Sequence, residues 1–272
     1  EDDSAGFSIA TKLRSRVGGL NQAMQNVGDA KSVLDITESS YGTVMDNLVE
    51  MKVLATQAAN DTLCDEERGF IGEQIKALGD DINKIADQTV YQDYELLNGS
   101  VSGGGTAQNT GDLSLTFQVG ERSSDTIDAD ISAVNVGELF ASGGDADLGS
   151  TGNATSIQAT AATAGGQGAL SFTSAAGSAD YRAFLDEVDS AITTMSENVN
   201  EIGITQSSLS VREQTLSESI SANESAKSRI MDTDFAKAQS ESVRLQILQQ
   251  TATSALAQAN NGPQSVLGFI GG

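Results

Sequence analysis

The sequence predicts a mainly α protein: an elongated antiparallel helical bundle, coiled-coil-like, that carries a β-hairpin and a small variable insertion. Three observations predict it. Apolar residues recur every seven positions near both ends of the chain, a short middle stretch alternates apolar with polar residues, and a Gly/Ser/Thr-rich stretch follows that alternation. A single Pro in 272 residues leaves long helices uninterrupted.

In the first helix Leu13, Leu20, Val27, Leu34, Tyr41, Leu48 and Ala55 fall seven apart, with Val17, Met24 and Met45 as a companion row. The run amounts to roughly 70 Å of helix at about 1.5 Å per residue, longer than ordinary globular helices. Lys31, Glu38 and Lys52 occupy other companion positions, so the seam reads as partly polar and suits a multi-helix bundle better than a strict dimer. A second helix follows, because Ile71, Ile75, Leu78, Ile82 and Ile85 step by four and three after a Thr62 to Asp65 stretch that can form a capping box.

Beyond Asn98-Gly99 the signal changes to β. Leu113, Leu115, Phe117 and Val119 alternate with polar residues, residues 120–125 turn the chain, and Ile127, Ala129 and Ile131 alternate with Asp128 and Asp130. That is one hairpin with one wet face. From about Phe140 to Ser178 large apolar residues are scarce, so this stretch is expected to be an exposed insertion that buries little. A third helix then repeats the heptad with Val188, Met195, Ile202, Leu209 and Leu216, and Leu185, Ile192, Val199 and Ile220 supply its second row.

The closing segment is distinctive: no Asp, Glu, Lys or Arg follows Arg244 through Gly272, yet Gln246, Gln249, Gln250 and Gln258 keep it from being greasy. Leu245, Leu248, Ala252, Ala255 and Ala259 form a narrow stripe, beside which lies Leu256. A solvated helix carries charge and a membrane span would not hold so many amides, so burial against other copies is expected. The chain thus divides into 1–136 and 179–235 for the helical core with its hairpin, 137–178 for the insertion, and 236–272 for the terminal helix.

Composition bounds the function. Fifteen basic against thirty-eight acidic residues give a net charge of -23, which repels nucleic acid and anionic membrane surfaces. The excess acidity reads as a solubilised surface, and it makes copies packed side by side repel at low salt. Aromatic residues make up 4% and His is absent, so neither an aromatic-lined pocket nor a histidine-based triad is expected. The lone Cys64 excludes an internal disulfide and reads as a small residue at a helix start.

Asp80 with Asp81, Asp128 with Asp130, and Asp145 with Asp147 lack the spacing of a calcium loop, and Gly103-Gly104-Gly105 and Gly165-Gly166 lack the Lys-Ser/Thr of a phosphate loop. No metal, cofactor or catalytic residue is expected. Neither a signal peptide nor an apolar run of membrane-spanning length is present, and Glu1 in place of Met reads as a trimmed start.

These residues resemble flagellin, the filament subunit of the bacterial flagellum. The opening Asp2-Asp3-Ser4-Ala5-Gly6, the stretch from Asn47-Leu48 through Leu54-Ala55-Thr56-Gln57-Ala58-Ala59-Asn60, Ile85-Ala86-Asp87-Gln88-Thr89 and Leu96-Leu97-Asn98-Gly99 are similar to its N-terminal region. Leu115 to Gly120 with Ile127-Asp128 resembles its hairpin. Ser228-Arg229-Ile230, Asp232-Thr233-Asp234-Phe235-Ala236, Gln246-Ile247-Leu248-Gln249-Gln250, Ala257-Gln258-Ala259-Asn260 and Pro263 to Leu267 resemble its C-terminal region.

The resemblance implies a non-enzymatic subunit exported through the flagellar type III channel without a cleaved signal peptide. It implies self-assembly into an extracellular filament that serves motility, with the terminal helix in an inner tube. Implied partners are other copies of itself, an export chaperone on the C-terminal helix, and the filament cap and hook-associated proteins. Family members begin earlier, with a helix that pairs with the C-terminal one, so the chain is expected to be N-terminally truncated and to stay soluble alone. The surface resembling an innate immune receptor epitope spans Leu48, Glu50, Leu54, Gln57 and Gln74. Glu50 stands where strongly recognised members carry Arg, and Gln74 where the position is often acidic, so weak activation is implied.

A hook-filament junction protein is the alternative within the family, and the Asp232 to Ala236 motif favours the filament subunit. A chemoreceptor signalling hairpin would not interrupt its helices with a β-hairpin, and a peptidase-bearing family member would need a two-histidine zinc motif.

Overall fold

The structure, a computed structural model, describes residues 4–92, 94–98, 112–141, 145–149, 156–162, 166–231 and 235–270. The run Gly103-Gly104-Gly105, Gly165 and the residues Asp232, Thr233 and Asp234 lie outside the described residues. Among the described residues five helices are formed: α1 (Ser4–Ala58), α2 (Asp65–Gln88), the short α3 (Val136–Phe140), α4 (Ser178–Met231) and α5 (Phe235–Ile270). Between them lie β1 (Val90–Tyr91), β2 (Tyr94–Glu95), β3 (Asp112–Gln118), β4 (Thr126–Ser132), β5 (Ala146–Asp147), β6 (Ile157–Ala159) and β7 (Leu170–Phe172).

Backbone contacts separate a unit of Arg16–Ile220 from a unit made of Glu1–Ser15 and Ser221–Gly272. The division falls near residue 220, within α4.

In the larger unit the heptad row Leu20, Val27, Leu34, Tyr41, Leu48 and Ala55 is buried. Of the expected companions Val17 is buried and Met24 and Met45 are half-buried against the core, while a second fully buried row of α1 lies three residues on from the heptad row, at Ala23, Ala30, Thr37, Val44, Met51 and Ala58. Most of these side chains are small, so they let neighbouring elements approach closely while adding little hydropathy. Thr37 is compatible with burial because its hydroxyl donates to the Val33 carbonyl at 3.0 Å.

The charged companions consequently flank the seam and do not interrupt it. Lys31 pairs with Glu213 at 2.9 Å, Lys52 pairs with Asp189, and the Gln206 amide donates to Asp35 and Glu38 at 3.0 and 2.9 Å. Position in α1 falls as position in α4 rises, so the two helices run antiparallel. Val188, Met195, Ile202, Leu209 and Leu216 of α4 join the same core as Ile71, Ile75 and Ile82 of α2.

α2 begins at Cys64, whose backbone is extended at φ -81° and ψ 164°. Its N–H donates to Glu67 Oε2 at 3.2 Å, and Asp65, Glu66 and Glu67 fill the first turn, where negative charge suits the helix dipole. The capping arrangement thus lies two residues beyond the expected Thr62.

The hairpin pairs β3 with β4 antiparallel from Asp112 opposite Ser132 to Gln118 opposite Thr126. Leu113, Val119, Ala129 and Ile131 are buried, while Asp128 and Asp130 are exposed. It is tied along α1 by the Tyr41 hydroxyl, which donates to Ser132 O at 2.7 Å, by Asn26 donating to Gln118 O at 3.0 Å, and by an Arg16–Glu121 pair at 2.8 Å.

The insertion departs most from expectation. Its described part forms an antiparallel sheet in the order β5-β6-β7, with Ile157 opposite Phe172 and Ala159 opposite Leu170. Leu148, Ile157, Ala159, Leu170 and Ala176 are buried. In β6 and β7 the apolar Ile157, Ala159, Leu170 and Phe172 alternate with Gln158 and Ser171, so a low apolar content still covers one face of the sheet.

Candidate assembly surface

α5 is a helix by local preference: no Gly or Pro occurs from Phe235 to Asn261, and Ala, Leu and Gln dominate. Its threonines turn inward on the backbone. Thr251 donates to Ile247 O at 2.6 Å, and Thr253 donates to Gln249 O and Gln250 O at 3.0 and 2.9 Å. Arg244 pairs with Glu241 at 2.5 Å, one helical turn apart, and no charge follows.

Leu245, Leu248 and Leu256 are 56%, 54% and 72% exposed, and Ala252, Ala255 and Ala259 are exposed beside them. At 3.6 residues per turn these six lie on one side of the helix. On the other side Val243, Gln246, Ile247, Gln250 and Thr253 line a shallow groove. The sequence reading overlooked Val243 and Ile247, which fall between the heptad positions; they too are exposed, at 45% and 56%. A contiguous, uncharged, exposed apolar helix face gains free energy by lying against another apolar surface and releasing water.

The five receptor-epitope residues separate. Glu50, Gln57 and Gln74 are exposed and Leu54 is half-buried. Leu48 is fully buried as a core residue of the α1 heptad and is no contact for a partner, which corrects its place in that surface.

The acidic pairs have local duties. Asp81 accepts from Lys84 at 2.8 Å, Asp145 from the Ala161 N–H at 2.8 Å, and Asp147 from the Gly149 N–H at 3.1 Å. Among the described residues no group of three or more His, Cys, Asp or Glu could hold a metal, and no helix is long and apolar enough to cross a membrane.

One polar centre carried no sequence signal. At the α1–α2 turn the buried Arg68 guanidinium donates to Ala58 O at 3.2 Å, Asn60 O at 3.1 Å and Asp65 Oδ1 at 3.0 Å. These carbonyls end α1, where a cation suits the helix dipole. The Tyr181 hydroxyl donates to Arg68 O at 3.0 Å, and burial pushes that phenol up to about 12. Beside it Asp61 accepts from Ser178 and from Arg182, the latter at 3.0 Å, and these bonds hold its carboxyl below the ordinary 3.8. The centre fastens the turn.

Comparison with known proteins places the chain. The family model for the bacterial flagellin N-terminal helical region matches residues 1–102, and that for the bacterial flagellin C-terminal helical region matches residues 185–270. A flagellin of Bacillus subtilis is 30% identical over 99% of this chain and 86% of its own length. One of Halalkalibacterium halodurans is 27% identical over 99% and 85%. Among solved structures, one described as a flagellar hook-associated protein from Vibrio parahaemolyticus shares the fold, with a TM-score of 0.61 at 16% identity over 84% of this chain and 99% of that one. From the two family models and the full-length relatives together, the chain belongs to the bacterial flagellin family.

Proposed function

We propose that this chain is a structural subunit that self-assembles into the extracellular bacterial flagellar filament and serves motility by that assembly alone. The observation that carries the reading is the α5 face. Leu245, Leu248 and Leu256 stand exposed on a helix that carries no charge beyond Arg244. Against a second copy, Leu245, Leu248, Ala252, Ala255, Leu256 and Ala259 would be the assembly face. The amide-bearing side would then face a wet channel.

Export without a cleaved signal peptide, an export chaperone that covers the same helix, and docking to filament cap and hook-associated proteins belong to the same reading. An innate immune receptor would meet Glu50, Gln57 and Gln74, and the acidic Glu50 in place of a cation supports weak activation; a cell reporter response equal to that of an enteric flagellin would contradict this.

Expression of the tagged chain in a bacterium that makes its own flagellin, followed by immunoelectron microscopy of the filaments, tests the main reading. The unaltered chain is expected to be incorporated beside the resident subunits. The double variant Leu248→Asp, Leu256→Asp is expected to be left out while keeping its helical circular dichroism. Incorporation of that variant at the parent's level would remove α5 as the assembly face, and no incorporation of the unaltered chain would remove the filament role itself.

A further inference from the structure

We propose that the insertion is a strap that holds α2 in the bundle, and not a dispensable surface decoration. Three contacts lead to it. First, α2 carries two glycines seven residues apart on its buried face, and both are seats for β7. A Cβ at Gly72 would stand 2.9 Å from Phe172 Cβ, and one at Gly79 would stand 3.2 Å from Leu170 Cδ1. Backbone this close to a strand needs residues without side chains, so the sequence of α2 is shaped to receive the insertion.

Second, a polar clasp closes the same face near the end of α2. The Gln167 amide lies within hydrogen-bonding distance of Asp87 Oδ1 at 2.7 Å, Asn98 Oδ1 at 2.9 Å and Asn83 O at 3.1 Å. Asn83 answers by donating to Gly168 O at 2.9 Å and accepting from the Val136 N–H at 3.0 Å, and the Gly137 N–H donates to Gln167 O at 2.8 Å. One residue of the insertion therefore joins α2, α3 and the segment after β2.

Third, the strap is anchored beyond α2. Phe172 stacks on Tyr181 with centroids 5.9 Å apart and meets Phe184 edge-on at 5.6 Å, while Ser178 donates to Asp61 in the α1–α2 turn. The strap thus runs from the start of α4, across α2, to α3. Most of the backbone that lies near α2 belongs to β7, α3 and β2. Pulling the strap away would expose Gly72, Ile75 and Gly79 on the side where β7 now lies.

Hydrogen–deuterium exchange on the full chain resolves this residue by residue. The variant Gln167→Ala, Leu170→Ser undoes the clasp and empties the seat at Gly79. Amides of residues 71–86 are expected to exchange at least about tenfold faster, while residues 188–216 of α4 and the β3–β4 hairpin stay within about twofold of the parent. The milder Gln167→Ala alone should speed exchange severalfold at residues 83–88 only. Unchanged protection of α2 in both variants overturns the proposal, since the insertion would then merely rest on the helix. Equal loss across α2, α4 and the hairpin in the double variant, with no local effect in Gln167→Ala, overturns it as well, because the insertion would then be an undifferentiated part of one core.

Discussion

Gly69 and Gly72 lie three residues apart in α2, and a methyl group added to each meets opposite surroundings. At Gly69 nothing stands within 4 Å of an added Cβ. Gly69→Ala therefore gains only the backbone preference of Ala over Gly in a helix, about 0.5–1 kcal/mol. At Gly72 the same methyl would stand 2.8 Å from Tyr181 Oη, 2.9 Å from Phe172 Cβ and 3.1 Å from Phe172 Cγ. Neither neighbour can withdraw: the Tyr181 hydroxyl is bonded to Arg68 O, and Phe172 is held between Tyr181 and Phe184. Overpacking of this kind costs about 1–3 kcal/mol against that propensity gain of about 0.5–1 kcal/mol, a net loss of up to about 2.5 kcal/mol.

For a unit of this size each kcal/mol moves the unfolding midpoint by about 2–4 °C, so the two variants should straddle the parent with a gap of several degrees. Thermal unfolding followed by circular dichroism at 222 nm and by calorimetry reads it. If Gly72→Ala raised the midpoint as much as Gly69→Ala, the close seat of β7 on α2 would be wrong.

Arg68→Met should lower stability by about 1–3 kcal/mol, because it strands the buried Ala58 carbonyl at the end of α1; a loss under about 0.5 kcal/mol in urea titration would contradict the role assigned to that guanidinium. The Asp61 carboxyl is held below its ordinary value, so its contribution is present above the unfolded value of 3.8 and is lost as pH falls through the lower native value. Asp61→Asn should therefore weaken the chain at pH 6 and match the parent well below pH 3.8, and urea midpoints that differ equally at both pH values would refute this. With a net charge of -23, added salt should speed growth of filaments from seeds, and turbidity that falls between about 20 mM and 500 mM NaCl would speak against charge repulsion as the brake.

Much of the fold was legible in the sequence wherever a period was carried by large side chains. The Leu20 to Ala55 row, the α4 row and the hairpin all lie where their spacing placed them. The row of α1 at Ala23, Ala30 and Thr37 escaped the sequence because these residues have too little hydropathy to stand out beside Val17, Met24 and Met45, which pack on the same core. The cap of α2 was misplaced for a related reason, since Cys64 is not a favoured capping residue and Thr62 is. Of the proposed assembly face on α5, the missing charges after Arg244 could be read directly, but the exposure of Val243 and Ile247 could not.

By itself, then, the amino-acid sequence determined the heptad helices, the hairpin, the absence of histidine chemistry and the uncharged terminal helix. Each of these is a local pattern of side-chain type, and local pattern is what periodicity reports. Tertiary structure alone decided that the insertion lies on the Gly72–Gly79 face, that Arg68 is buried on the end of α1, and that Leu48 is core. These outcomes turn on how closely backbones approach and on which carbonyls a distant side chain can reach. Such distances exist only once residues far apart in the chain have packed together.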